Sequence, residues 1–376
     1  MRRTDRLVSM FQKFVIFATA FFCMLTFALN PAVNTFSVHV CVLMLMLPLQ
    51  YVASFLMNIP HELGHLLGGL LSGRRPYLIG FGPLQIVRRP DGSLRFGLIS
   101  TPGIGGYCNT VTERSPAPFA AFFLGGPLLQ LLAGAACAWG AWRLGPLAPW
   151  PAAFFYPLLT SMAVQGVTGA LLNLLPLTVT GGSTDGQKLL TLSRSPAARA
   201  HWEALELIEL HYALEETLPE MPDAIFPDLP LSALTDGYAL DIALYRAERL
   251  LLQERTREAL SLVRSLLENS IPMHHTHIMK AMSLGVFCEL LTDGPGRFCA
   301  TLNDPLILRL RKAAATSPST ILLEYAAALC KGDSALADQH LATHARATAH
   351  SPFQPQLRQN GEIIARLEAL RKESPE

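Results

Sequence analysis

The sequence predicts a mostly α-helical, polytopic membrane protein: a bundle of about four spans with a small β-hairpin insertion, then a soluble domain of repeat-like α-helical hairpins. Three observations carry that expectation. Half of the 376 residues are apolar and mean hydropathy is positive, which is too apolar for an ordinary soluble protein of this size. Charge is unevenly placed: residues 1–186 hold 11 Lys and Arg against 5 Asp and Glu, whereas residues 187–376 hold 19 and 24. No Asp, Glu, Lys or Arg occurs between residues 14 and 60. The net charge of +1 conceals this split and offers no argument for a nucleic-acid partner.

Three segments follow. Residues 1–37 read as a cytosolic tail and a signal-anchor helix. Arg2, Arg3, Arg6 and Lys13 precede the apolar run 14–29, and no small-x-small cleavage site follows it. Residues 38–190 read as the membrane core. The apolar stretch 38–73 is too long for one straight span of about 20 residues, and Pro48 and Pro60 are expected to break or kink it. Gly64, Gly68, Gly69 and Gly73 make two G-x-x-x-G steps, read either as a close helix contact or as scattered small residues. Residues 74–113 change character. Five arginines appear, and 77–87 and 94–100 are expected as strands joined by a turn at Pro90-Asp91-Gly92. Residues 115–142 and 152–177 give the third and fourth spans, with a proline-rich turn at 145–151 between them. Basic residues at the amino terminus and in 74–114 place both termini and the hairpin in the cytosol by the positive-inside rule.

Residues 191–376 read as a soluble cytosolic helical domain. Residues 243–252 and 258–268 form one hairpin, and 322–329 and 335–349 another. Small, large and proline positions there resemble tetratricopeptide repeats, whose period is about 34 residues, so a protein partner is expected on this domain. Histidines 274, 275 and 277 read as helix-cap residues. The seven cysteines form no C-x-x-C pair and read as reduced, buried thiols.

The chemistry-bearing stretch is His61-Glu62-Leu63-Gly64-His65. Ionisable groups at membrane depth cost a few kcal/mol each and persist mainly where they have partners and a role. Four residues apart on a helix, His61 and His65 share one face and can reach one metal ion. Glu62 is rotated by about 100° from His61, so it is placed to act on a metal-bound water as general base. A catalytic Zn2+ needs a third protein ligand. Between residues 115 and 202 the only acidic side chain is Asp185 and the only histidine is His201. Elimination points to Asp185, with capping of the following helix as its other reading. Asn173 has two readings: an amide that binds substrate backbone or an oxyanion, or one that satisfies a carbonyl freed by Pro176.

H-E-L-G-H at 61–65, G-G-Y at 105–107, G-G-P at 125–127, N-L-L-P at 173–176 and D-G at 185–186 occur in that order. Together they resemble the site-2 protease family of intramembrane zinc metalloproteases, over residues 38–190. The resemblance implies a three-helix catalytic core, Zn2+ held by His61, His65 and Asp185, and Glu62 as general base. It also implies a glycine-containing hairpin that aligns a substrate strand, and a bacterial cell membrane as the setting. In one respect the chain departs from that family: Asp185 lies nine residues past Pro176, where the family keeps Pro and Asp close.

The expected activity is hydrolysis of peptide bonds in or near membrane spans, with a membrane protein or membrane-associated peptide as substrate and the lipid bilayer as environment. A zinc-binding, non-hydrolytic scaffold whose helical repeats recruit partners is the competing class. A metalloprotease with a downstream Glu ligand is disfavoured, because residues 115–202 contain no Glu.

Overall fold

The computed structural model describes residues 3–28, 36–99, 105–112, 118–145, 152–179, 182–269 and 273–373. The expected proline-rich turn at 145–151 lies outside these residues from 146 on, as do residues 100–104 ahead of Gly105 and residues 180–181 ahead of Asp185. The chain divides into two compact units. The first comprises Met1–Arg75, Gly105–Thr110 and Pro118–Thr191; the second comprises Pro76–Ile104, Val111–Ala117 and Leu192–Glu376.

The first unit contains α1 (Arg3–Ala28), α2 (Phe36–Leu71), α3 (Ala120–Leu144), α4 (Ala152–Leu174) and α5 (Asp185–Arg194). Among the described residues, three segments are long and apolar enough to cross a membrane: Arg6–Cys23, Ala120–Leu144 and Phe155–Leu174. The remaining expected span, 38–73, falls in α2, part of whose side chains lie outside the described residues, and is not among the three. Pro48 and Pro60 do not break α2, which runs through both as one helix. Each proline leaves one carbonyl a turn earlier without its helical donor, but 36 residues of helix packed on neighbours absorb the loss.

Small residues set the spacing of this bundle. A Cβ on Gly64 would overlap the carbonyl oxygen of Gly125, a Cβ on Gly125 would overlap that of Gly64, and one on Gly68 would overlap that of Ala121. So α2 and α3 touch backbone to backbone, the close-contact reading of the glycine steps. At Gly166 a Cβ would stand 2.7 Å from Gly134 Cα, which brings α3 against α4 in the same way. Arg74, 2% exposed, fastens the end of α2. It donates to Thr110 Oγ1 and the Thr110 carbonyl at 2.6 Å each and to the Pro118 carbonyl at 3.1 Å.

In the hairpin region β1 (Arg75–Phe81), β2 (Leu84–Arg88) and β3 (Leu94–Leu98) form an antiparallel meander, with Ile79 opposite Ile86 and Ile86 opposite Phe96. The expected single strand 77–87 is two strands, because Gly82 takes φ +55° ahead of Pro83 and reverses the chain. The expected turn at 90–92 is present: Arg89 N–H donates to Ser93 O at 2.9 Å, and Asp91 Oδ1 accepts from Ser93 N–H at 2.8 Å. A further strand, β4 (Gly106–Val111), is added to the expected ones within the insertion. Between α4 and α5, the two-residue strands β5 (Thr178–Val179) and β6 (Gly182–Ser183) pair antiparallel.

The second unit holds α6 (Pro196–Ala213), α7 (Gly237–Leu252), α8 (Thr256–Glu268), α9 (His275–Leu290), α10 (Arg297–Thr301), α11 (Pro305–Ala313), α12 (Pro318–Cys330), α13 (Ser334–Thr348) and α14 (Gln354–Glu373). The two expected hairpins are α7–α8 and α12–α13. Between them α9, α10 and α11 are uneven in length. A core including Leu240, Leu244, Val263, Phe287, Leu323 and Tyr325 joins these helices. Asp236, Asp304 and Asp333 cap α7, α11 and α13 by accepting backbone N–H groups. His274 stands at the N-cap of α9, whereas His277, also expected as a cap residue, is buried within the first turn, its Nε2 3.2 Å from Asp241 Oδ1. One expectation is overturned. Cys299 and Cys330 form a disulfide, because α10 and the end of α12 bring their Cα atoms to 6.0 Å; Cys23, Cys108, Cys137 and Cys288 are outside any disulfide.

Two outcomes test this architecture. Gly64→Val should destabilise the protein by about 1–3 kcal/mol or block folding, since backbone must yield. Gly361→Ala, with open space around its Cβ position, should stabilise α14 by up to about 1 kcal/mol; thermal unfolding in detergent compares them. In the second unit, burial reinforced by Asp241 pushes the Glu209 carboxyl up from 4.5 to about 7. Between those values the folded state holds a proton that the unfolded state releases, so stability falls as pH rises through the window. Glu209→Gln should remove that fall, on the order of 1–3 kcal/mol by pH 8, measured as unfolding midpoints against pH.

Candidate metal centre

The site is assembled from α2, α3 and the start of α5. His61, Glu62, His65 and Asp185 are 9%, 6%, 6% and 7% exposed. His61 and His65 share one face of α2, and their Nε2 atoms are 3.1 Å apart. Asp185 Oδ2 lies 3.3 Å from His61 Nε2 and 3.4 Å from His65 Nε2. Four-coordinate zinc with ligands at 2.0–2.2 Å holds them about 3.3–3.5 Å apart, the edge of a tetrahedron. These three atoms therefore form one face of such a polyhedron, and the group is one that can hold a metal ion. The same contacts are ion pairs when an imidazole is protonated.

The opposite ring nitrogens favour the ligand arrangement. His65 Nδ1 lies 2.7 Å from the Phe122 carbonyl oxygen, which can only accept, so Nδ1 carries the proton and Nε2 keeps its lone pair. His61 Nδ1 lies 3.0 Å from Gln130 Oε1. Metal-binding histidines are oriented by such acceptors. Gly126 clears the space: a Cβ there would stand 2.5 Å from His65 Nε2.

Asp185 reaches the site despite the lengthened loop, because the extra residues fold back on themselves. Thr178 pairs with Ser183 and Val179 with Gly182. At the base of this small hairpin, Thr184 N–H donates to Leu177 O at 3.0 Å. Thr184 Oγ1 donates to Leu175 O at 2.6 Å and accepts from Leu177 N–H at 3.1 Å. The chain thus passes from Leu177 to Thr184 as though the residues between were absent. Gly186 packs on the end of α4, where a Cβ would overlap the Leu174 carbonyl oxygen.

Glu62 faces another direction. Its carboxylate takes part in no hydrogen bond or ion pair among the described residues, and its electrostatic neighbours are His61, Asp185 and Lys188. The β4 residue Cys108 is another. Just ahead of β4, Gly105 lies so close to the Asn58 side chain that a Cβ would overlap its amide nitrogen. Asn173 donates its amide N–H to Gly169 O at 3.2 Å, one turn back on α4.

His61, His65 and Asp185, the residues singled out in the sequence, come together here. Gly126 belongs to the G-G-P motif, whereas Gln130, Phe122 and Thr184 do not stand out in the sequence. Gln130 carried a weak signal, as an uncharged polar side chain inside an apolar span. No protein-family model, no characterised protein and no solved structure matches the chain.

Thr184→Val should weaken binding of a metal ion by roughly tenfold, by loosening the hairpin that delivers Asp185, whereas Ser183→Ala should leave it unchanged. Equilibrium titration of the chelator-treated protein with Co2+ measures both.

Proposed function

We propose that the protein is a membrane-embedded zinc metalloprotease that cleaves peptide bonds in or near the membrane spans of protein or peptide substrates. The observation that supports it most is the convergence of His61 Nε2, His65 Nε2 and Asp185 Oδ2 at tetrahedral spacing. Beside them lies a buried glutamate without a protein partner among the described residues. A bound Zn2+ would supply Lewis acidity, polarising the scissile carbonyl and bringing the pKa of water towards neutrality. The work of the chain's own residues is proton transfer and positioning. Glu62 accepts a proton from the attacking water and passes it to the departing amine nitrogen. Asn173, at the end of α4, is assigned to the substrate backbone or the developing oxyanion; this requires its amide to exchange its bond to Gly169 O for one to substrate.

A helical substrate hides its carbonyl groups in its own hydrogen bonds, so it must unwind to be cut. The insertion 74–113 is assigned to hold it extended, by strand pairing. The position of Gly105 against Asn58, one turn before His61, supports β4 as the nearest element of that insertion. The proposal includes a fourth span within α2, with both termini and the second unit in the cytosol of a bacterial cell. It also includes a tetratricopeptide-like role for the α7–α8 and α12–α13 hairpins, binding a protein partner.

Glu62→Gln should keep metal stoichiometry and lower peptide-bond cleavage by at least 100-fold, in line with the loss of a general base. Proteomics of membrane fractions from cells carrying either form reads the difference, as uncut substrates that accumulate in the variant. Undiminished cleavage by Glu62→Gln sinks the assignment. Bound zinc with no turnover by the wild type on any membrane peptide would favour the scaffold.

A further inference from the structure

We propose that Gln130 is the positioning residue of the metal centre: its amide oxygen fixes His61 as the Nδ1–H tautomer and turns Nε2 towards His65 and Asp185. This rests on the metal-binding reading above and adds to it a residue outside the ligand set.

Gln130 sits on α3, 4% exposed, with Oε1 3.0 Å from His61 Nδ1. An amide can present either its oxygen or its nitrogen to a ring, and the consequences are opposite. If the nitrogen faced His61, Nδ1 would have to accept, the ring proton would move to Nε2, and the lone pair would be lost from the site. The orientation with oxygen towards His61 is the one that leaves His61 Nε2 its lone pair, and the glycines of α4 give the amide room. Its nitrogen lies against Gly169 on α4, where a Cβ would stand 2.6 Å away. The Gln130 backbone is fixed as well: its carbonyl would meet a Cβ on Gly166 at 3.2 Å. The amide is therefore wedged between α2 and α4.

Gln50 on α2 and Gln165 on α4 behave differently. Gln50 donates to Ser161 Oγ at 2.8 Å, and Gln165 donates to Gln50 Oε1 at 3.1 Å. Those bonds join α2 to α4 and involve no histidine, as expected of polar contacts that hold spans together. Gln130 is the glutamine that meets a candidate ligand.

The choice of an amide has a charge argument behind it. Outer acceptors of metal-binding histidines are often carboxylates. Here Glu62 and Asp185 already supply two negative charges next to a dication site, and a third at this depth would be unbalanced. Glutamine gives the same acceptor geometry without charge.

The test uses the full chain in detergent, stripped with chelator and titrated with Co2+, whose visible absorption reports four-coordinate geometry. Wild type should take up one equivalent with strong visible bands. Gln130→Leu and Gln130→Met, which lack an acceptor, should bind roughly 10–100-fold more weakly with diminished bands. Gln130→Glu should restore the bands and come within about tenfold of wild type. Gln165→Leu, which removes a span contact distant from the histidines, should match wild type. Wild-type affinity and bands in Gln130→Leu or Gln130→Met overturn the proposal, as does a Gln130→Glu protein that binds no better than they do. If the wild type itself takes up no Co2+ or Zn2+, the metalloprotease reading fails first and this assignment with it.

Discussion

A buried imidazole can offer one nitrogen to a metal only if the other has somewhere to send its proton, and the contacts of α2 meet that requirement. His65 donates to a backbone carbonyl, Phe122 O. No side chain spans the gap, so α3 must come within backbone contact of α2. Glycine at 64, 68 and 125 permits that approach, and glycine at 126 leaves room for the ring itself. His61 donates further along α3, to Gln130. The pairs run 61 with 130 and 65 with 122, which is the order of two antiparallel helices. Gly166 and Gly169 then let α4 close on the same part of α3. Small residues in this bundle are thus tied to the two histidines.

The third member arrives by a different route. Asp185 is the first residue of α5, and the turn that carries it must end where α4 ends. Thr184 does this with one hydroxyl, bonded at both Leu175 and Leu177. The residues of β5 and β6 project from the closed turn as a hairpin, so loop length and ligand position are uncoupled. A lengthened loop need not move a ligand when its two ends are hydrogen-bonded to each other.

What was legible in the sequence follows from what is local. His61 and His65 were legible because helical spacing alone puts them on one face, and Asp185 because residues 115–202 hold no competing carboxylate. The α7–α8 and α12–α13 hairpins were legible from apolar periodicity and from turn residues such as Gly332, at φ +68°. Non-local features were not. Gln130 reads as a span glutamine until α2 is placed beside it. Strand β4 was not among the expected strands: Gly106 opens it, and its burial depends on partners far away in sequence. Cys299 and Cys330 are separated by 31 residues, and only the packing of α10 and α12 makes them neighbours. The division of 77–87 into two strands hinged on one backbone angle at Gly82.

The two carboxylates of the site share a depth but not a role. Asp185 Oδ2 lies 3.3 Å and 3.4 Å from the two imidazole Nε2 atoms. Glu62, turned about 100° away along α2, is equally buried yet has no hydrogen-bonding partner among the described residues. Leaving a buried polar group unsatisfied costs about 1–3 kcal/mol, more for a charged one, and α2 could remove that cost with any apolar residue. A carboxylate kept there and left unpaired is suited to a partner that comes and goes. Water and the amine nitrogen of a cleaved peptide are such partners, and a group already committed to the imidazoles, as Asp185 is, could not serve them.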